Sequence, residues 1–150
     1  MLREQIQATL NEALKSKDAR HASTLRLITA AIKDRDIANR GAGKDPVNDE
    51  DILGILVKMI RQREESAEAY EGGGRLELAE QERGEIAVIG AFLPKQMPEE
   101  EIRKACAKAV AETGASGLRD MGKCMATLKE KFPGQMDFGK ASGIVKTLLQ

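Results

Sequence analysis

Arg63, Ser66 and Tyr70 stand at i, i+3 and i+7, a spacing that puts a guanidinium, a hydroxyl and a phenol on one side of a helix. Beyond the glycines at 72–74, Arg75 and Glu82 again share a helical face. Two antiparallel helices bearing these groups would enclose a polar groove able to hold a ligand or a partner. The same groups would equally serve as interhelical ion pairs and hydrogen bonds that fix a hairpin. Each exposed pair of that kind adds only about 0.2–1 kcal/mol. Both readings stay open on the residues alone.

A second set lies towards the end of the chain. Residues 120–149, DMGKCMATLKEKFPGQMDFGKASGIVKTLL, thread five lysines and four glycines through two short amphipathic patterns. Lys123 and Lys129 avoid the stripe of Met121, Met125, Leu128 and Phe132. Lys140 and Lys146 avoid that of Phe138, Ala141, Val145 and Leu148. All four lysines are expected to face outward. Gly122, beside a capping Asp120, would expose backbone N–H groups to a phosphate. Gly139 and Gly143, one turn apart, would admit another backbone. The chemistry this implies is salt-sensitive phosphate contact. No aromatic side chain is placed to stack on a base, as single-strand binders require. The plainer alternative is a small helical cap with a solvated outer face.

Other chemistry finds no support. His21 is the only histidine, and it has no Cys, Asp or Glu set at metal-ligand spacing. Cys106 and Cys124 are the only cysteines and fall on apolar helical positions, where they read as small buried hydrophobes. There is no G-x-S-x-G, no G-x-G-x-x-G and no P-loop; GAGKDP at 41–46 is too short and lacks the following Ser or Thr. No catalytic constellation, metal or cofactor is expected.

The elements that must position these groups are all helices. The chain has 150 residues, 24 basic and 24 acidic side chains, 3% aromatics and no Trp, a composition that favours helix over sheet. A formal charge of zero argues against a strongly electrostatic nucleic-acid binder, so no DNA ligand is expected. The charge is unevenly spread: residues 1–92 carry 14 basic and 17 acidic groups, net −3, and residues 93–150 carry 10 and 7, net +3. No apolar leader follows a basic start and no run approaches a membrane span, so a soluble, cytoplasmic protein is expected.

Seven helical segments can be placed. The first carries Leu2, Ile6, Leu10 and Leu14; the second, capped by Asp18, carries Leu25, Ile28 and Ile32, broadened by Leu27 and Ala31. Asn48 and Asp51 form a capping-box pattern before Ile52, Leu56, Met59 and Ile60, and the glycines at 72–74 end that third helix. The fourth, from about Arg75, turns Ala79, Ile86, Ile89 and Phe92 inward. Pro94 stops it, and Pro98 at a first helical position starts the fifth, with Glu99, Glu100 and Glu101 favoured by the dipole. The fifth carries Ile102, Ala105, Cys106, Ala109 and Val110 and ends at Gly114; Asp120 and Asp137 cap the last two. The expected fold class is all-α: a four-helix N-terminal bundle over 1–92, a hinge at 93–97 and a small three-helix domain over 98–150.

These residues resemble a known family. Gln62-Arg63-x-x-Ser66, Tyr70, Gly74-Arg75-x-x-Leu78-Ala79-x-x-Glu82, FLPKQM and DMGKCM together resemble the GatB/YqeY family, and the chain is similar throughout to free-standing YqeY-like proteins. Pro98 departs from the pattern, which commonly has a Ser or Thr cap there. The resemblance implies kinship with the tail of the B subunit of aspartyl/glutamyl-tRNA amidotransferase, a glutamine-dependent carbon–nitrogen ligase whose tail helps hold tRNA. It implies a non-catalytic tRNA- or structured-RNA-binding module, since the ATP- and aminoacyl-binding domain of that subunit has no counterpart here. Any ligase activity would need partner subunits. Gly122, Lys123, Lys129, Lys140, Gly143 and Lys146 are then the candidate RNA contacts. The competing expectation is a protein-interaction adaptor for an amidotransferase, a synthetase or another partner, using Arg63, Ser66, Tyr70, Arg75 and Glu82.

Overall fold

The computed structural model describes residues 1–150 and contains helices and turns but no strand. In order these are α1 (Leu2–Lys15), α2 (Ala19–Gly41), α3 (Asp49–Gly72), α4 (Leu76–Gly90), α5 (Glu99–Thr113), a 3-10 turn (Leu118–Asp120), α6 (Met121–Lys131) and α7 (Phe138–Leu149). The protein is all-α, with seven α-helices.

Local chemistry sets the helix ends. Asp18 accepts from the His21 N–H at 3.1 Å and starts α2. Asn48 and Asp51 exchange side-chain-to-backbone bonds of 2.8 and 3.2 Å, the full capping box of α3. Asp137 accepts from the Gly139 N–H at 2.8 Å and starts α7. At the other ends, one motif recurs. Gly74, at φ +73°, lets its own N–H reach Glu71 O at 3.1 Å and the Arg75 N–H reach Tyr70 O at 2.7 Å, satisfying the last carbonyls of α3. The same closure ends α1, but there Lys17 occupies the left-handed position, at φ 59°.

Two hydrophobic clusters hold the helices. The first gathers Ile6, Leu10, Ala13, Leu25, Ile28, Ile32, Val47, Ile52, Leu56, Met59 and Ile89, with Phe92 and Leu93 at its margin. The second gathers Ile102, Cys106, Ala109, Cys124, Leu128, Met136, Ala141, Val145 and Leu149, with Met97, Phe132 and Phe138 at its margin. The contacts divide the chain into two compact units, Met1–Leu93 and Pro94–Gln150. In the second, the Met97 N–H donates to Gln135 O at 2.9 Å and Gln96 Nε2 to Gly134 O at 2.7 Å.

Several sequence expectations shift by a residue. Leu14 is 45% exposed and Ala13 is buried in its stead, because a strict i+4 row drifts about 40° per step around a helix. Leu27 lies on the solvent side of α2, opposite Leu25, Ile28 and Ile32. In α7 the inward row is Ala141, Val145 and Leu149, leaving Leu148 48% exposed. Pro98 is the N-cap of α5, with extended backbone at ψ 156°, and Glu99 takes the first helical position.

Candidate nucleic-acid interface

Helices α6 and α7 bury narrow stripes, which fixes where everything else on them points. Cys124 and Leu128 in α6, and Ala141, Val145 and Leu149 in α7, are buried. Gly122, Lys123 and Lys129, and Lys140, Gly143 and Lys146, are exposed. The two lysines of each helix are six residues apart. At about 100° per residue they diverge by about 120° and straddle the outward pole, rather than stacking in a row.

None of these four lysines is paired with a carboxylate. Lys131 is different: its Nζ lies 2.6 Å from Glu112, whose carboxyl it holds below the ordinary range. The start of α6 is also not the open helix end that Asp120 and Gly122 suggested. The Asp120 carboxylate accepts from the Ser116 N–H at 3.1 Å and caps nothing in α6, and the Met121 N–H donates to Leu118 O in the preceding 3-10 turn. That Ser116 bond holds the Asp120 carboxyl low, with Lys123 adding a smaller effect. A side chain on Gly122 or Gly143 would meet no other atom within 4 Å, so packing within the chain does not require glycine at either position.

The polar set on α3 and α4 has a different character. Arg63 Nε lies 2.9 Å from Glu85 Oε2, and its Nη1 donates to Met59 O at 3.2 Å. Both side chains are largely covered, at 14% and 22% exposure. Arg83 is paired with Glu71 in the same hairpin. Glu82 is half-buried, and its carboxyl is pushed up by burial and by Glu85, with Arg63 opposing. Ser66 and Tyr70 are half-buried and Arg75 is exposed at the N-cap of α4. Glu85, the partner Arg63 takes, lies outside the sequence-derived set; it stands three residues beyond Glu82, on the same side of α4.

Sequence reasoning also missed a cleft. The start of α2 and the length of α4 enclose a volume of about 1080 Å³, lined by residues that include Arg20, His21, Thr24, Gln81, Arg83 and Glu85. His21 Nδ1 lies 3.7 Å from Asp18 Oδ2 there. No periodicity could have revealed it, because the two walls are more than fifty residues apart in sequence. No group of three or more His, Cys, Asp or Glu side chains converges to hold a metal ion. No helix is long and apolar enough to cross a membrane.

The fold and this surface define an all-helical protein built on two hydrophobic clusters, with an unpaired lysine face on its last two helices. The chain belongs to the YqeY-like family: the family model described as Yqey-like protein matches residues 3–149. Among curated relatives, an uncharacterized protein of Schizosaccharomyces pombe is 33% identical over 90 residues, 60% of this chain and 70% of that protein. The protein of Candida glabrata called Altered inheritance of mitochondria protein 41, mitochondrial, is 30% identical over 89 residues, 59% of this chain and 47% of that protein. The chain thus spans about half of the second relative's length.

Proposed function

We propose that this protein is a non-catalytic module that binds tRNA or another structured RNA through the outer face of α6 and α7. One observation carries the reading. Residues 121–150 hold five lysines against Glu130 and Asp137 only, net +3, whereas residues 94–120 hold five basic and five acidic groups. The whole surplus of the C-terminal unit therefore lies on two helices. Lys131 is neutralised by Glu112, and Lys123, Lys129, Lys140 and Lys146 remain exposed and unpaired. Family kinship with an amidotransferase tail supports the same ligand. In this reading residues 93–97 are a hinge between domains over 1–92 and 98–150; limited proteolysis that never cuts at Lys95 would count against it. We place the protein in the cytoplasm as part of the proposal, and fractionation that finds it only in an organelle would remove that part.

A gel shift with purified bulk tRNA at about 50 and 200 mM salt tests the reading. Salt-sensitive binding that disappears in Lys123→Glu/Lys140→Glu/Lys146→Glu supports it. Absence of binding at the lower salt refutes it.

The cleft favours a second reading, an adaptor that seats a protein partner between α2 and α4. Its lining mixes Asp18, Glu77 and Glu80 with Arg20, so binding there would be altered by Arg20→Glu and untouched by the lysine changes. A partner whose affinity follows the lysines instead would exclude it.

A further inference from the structure

The cleft between α2 and α4 has a floor and a rim of different character. The floor is apolar or small: Leu78 and Val88 are half-buried, Gly84 lies between them on α4, and Ala19 adds to it from α2. Leu27, exposed one turn beyond Ser23, continues the α2 wall on the same side of that helix. A side chain at Gly84 would meet no other atom within 4 Å, so no contact within the chain calls for glycine there, although glycine inside a helix is destabilising. Gly54 and Gly90 have the same open space, but neither lines the cleft.

The rim is acidic. Two of the cleft's charges are already answered by groups outside its lining, Glu85 by Arg63 and Arg83 by Glu71. Asp18, Glu77 and Glu80 remain against Arg20, three carboxylates to one guanidinium. Glu77 and Glu80 are exposed and free of any ion pair. The surroundings have the same sign: residues 61–86 hold eight acidic and four basic side chains, net −4, whereas residues 1–60 hold nine and ten, net +1.

We infer that this cleft seats a cationic amphipathic helix presented by a partner protein, with its apolar stripe on the floor and its Lys or Arg side chains against the carboxylates of the rim. The inference rests on the adaptor reading above and names the chemistry of the partner; it is independent of the RNA surface on α6 and α7. Size, secondary structure and charge each narrow the occupant. A volume of about 1080 Å³ exceeds the roughly 300–1,000 Å³ of small-molecule sites. The floor on α4 from Glu77 to Val88 runs about 16 Å, three turns of a facing helix, at about 1.5 Å per residue. The fold has no strand, so an extended segment finds no sheet edge to lengthen, and the lining has no aromatic ring to dock a polyproline segment. A helix laid in the groove is the mode that remains. The rim carboxylates would repel phosphate and acidic segments and select for positive charge.

Fluorescence anisotropy of the full chain tests this with two labelled peptides of about 14 residues, long enough for the three turns. Both carry Leu at helical i, i+3 and i+4 spacing; one has Lys at every other position and the second has Glu. The lysine peptide is expected to bind about tenfold or more tightly than the glutamate peptide. Gly84→Trp, which fills the floor, should abolish binding of the lysine peptide. Glu77→Lys/Glu80→Lys should weaken it about tenfold and tighten the glutamate peptide. Lys123→Glu/Lys140→Glu/Lys146→Glu should not weaken it. All the substituted positions are exposed, so unchanged melting curves show that each variant folds. If the glutamate peptide binds as well as the lysine peptide and Gly84→Trp removes both, the cationic partner is overturned while the adaptor reading stands. If the lysine peptide binds Gly84→Trp as tightly as the wild type, it does not occupy the cleft and the inference is overturned. If neither peptide binds, the inference is likewise overturned, and the adaptor reading rests on the Arg20→Glu test alone. Sedimentation showing that the free chain self-associates, and that Glu77→Lys/Glu80→Lys abolishes this, would make the occupant a second copy and overturn the inference too.

Discussion

Gly143 separates what the chain needs for folding from what its surface offers. With open space at its Cβ position, Gly143→Ala is expected to stabilise the protein by about 0.5–1 kcal/mol, read by urea denaturation. Gly143→Leu should fold as well but weaken tRNA binding about tenfold or more, by placing a bulky side chain on the exposed face between Lys140 and Lys146. Loss of folding in either variant would mean that the glycine serves packing. Asp36 provides a second test at this scale. It accepts from Arg3 at 2.7 Å and from the Val47 N–H at 2.8 Å, joining α1, α2 and the loop before α3. Arg3 first, and Val47 second, hold its carboxyl below the usual range. A depressed folded pKa contributes stability that is present above the unfolded value of about 3.9 and is lost as pH falls through the folded value. Asp36→Asn should therefore lower Tm at pH 7, and the gap from wild type should close as pH falls through the folded value. A gap independent of pH would rule out the charged pairing.

Helix ends were legible in the residues because capping is local: Asp18, Asn48 with Asp51, and Asp137 each find a partner within three residues. Asp120 looked the same on paper, yet its carboxylate turns back to Ser116, because a 3-10 turn runs directly into α6. Facing was less legible. Leu14, Leu27 and Leu148 are apolar and close to a buried stripe, but which residue a neighbouring helix covers depends on contacts that no single helix encodes. An interhelical ion pair from Arg63 was legible, but its partner Glu85 and the α2–α4 cleft were not, for the same reason. Lys17 follows directly from end geometry. A lysine at φ 59° is strained where glycine is not, so Lys17→Gly is expected to stabilise by about 0.5–1 kcal/mol in thermal or urea melts. A loss of stability there would show that the lysine side chain contributes more than its backbone strain costs. The cysteines report on the C-terminal unit. Cys106 and Cys124 are fully buried and free, and burial pushes the Cys106 thiol up. Both should resist a thiol reagent in native buffer and react when that unit unfolds; rapid native labelling would contradict their burial.

At the scale of the molecule, a formal charge of zero conceals an uneven distribution, and the uneven part is where function is proposed. The surplus of +3 over residues 121–150 sits on exposed positions of α6 and α7, without paired carboxylates on the four lysines that matter. Net charge alone argues against nucleic acid; the placement of the surplus on two helices is what supports the proposal. The most direct measurement is the salt dependence of binding between the full chain and purified tRNA, followed by anisotropy from about 50 to 200 mM. Four phosphate-contacting lysines predict a slope of log K against log salt of about −2.8 to −3.6, an affinity loss of roughly 50- to 150-fold across that range. Binding that is absent at 50 mM, or present with a flat slope, would contradict an RNA surface on these two helices.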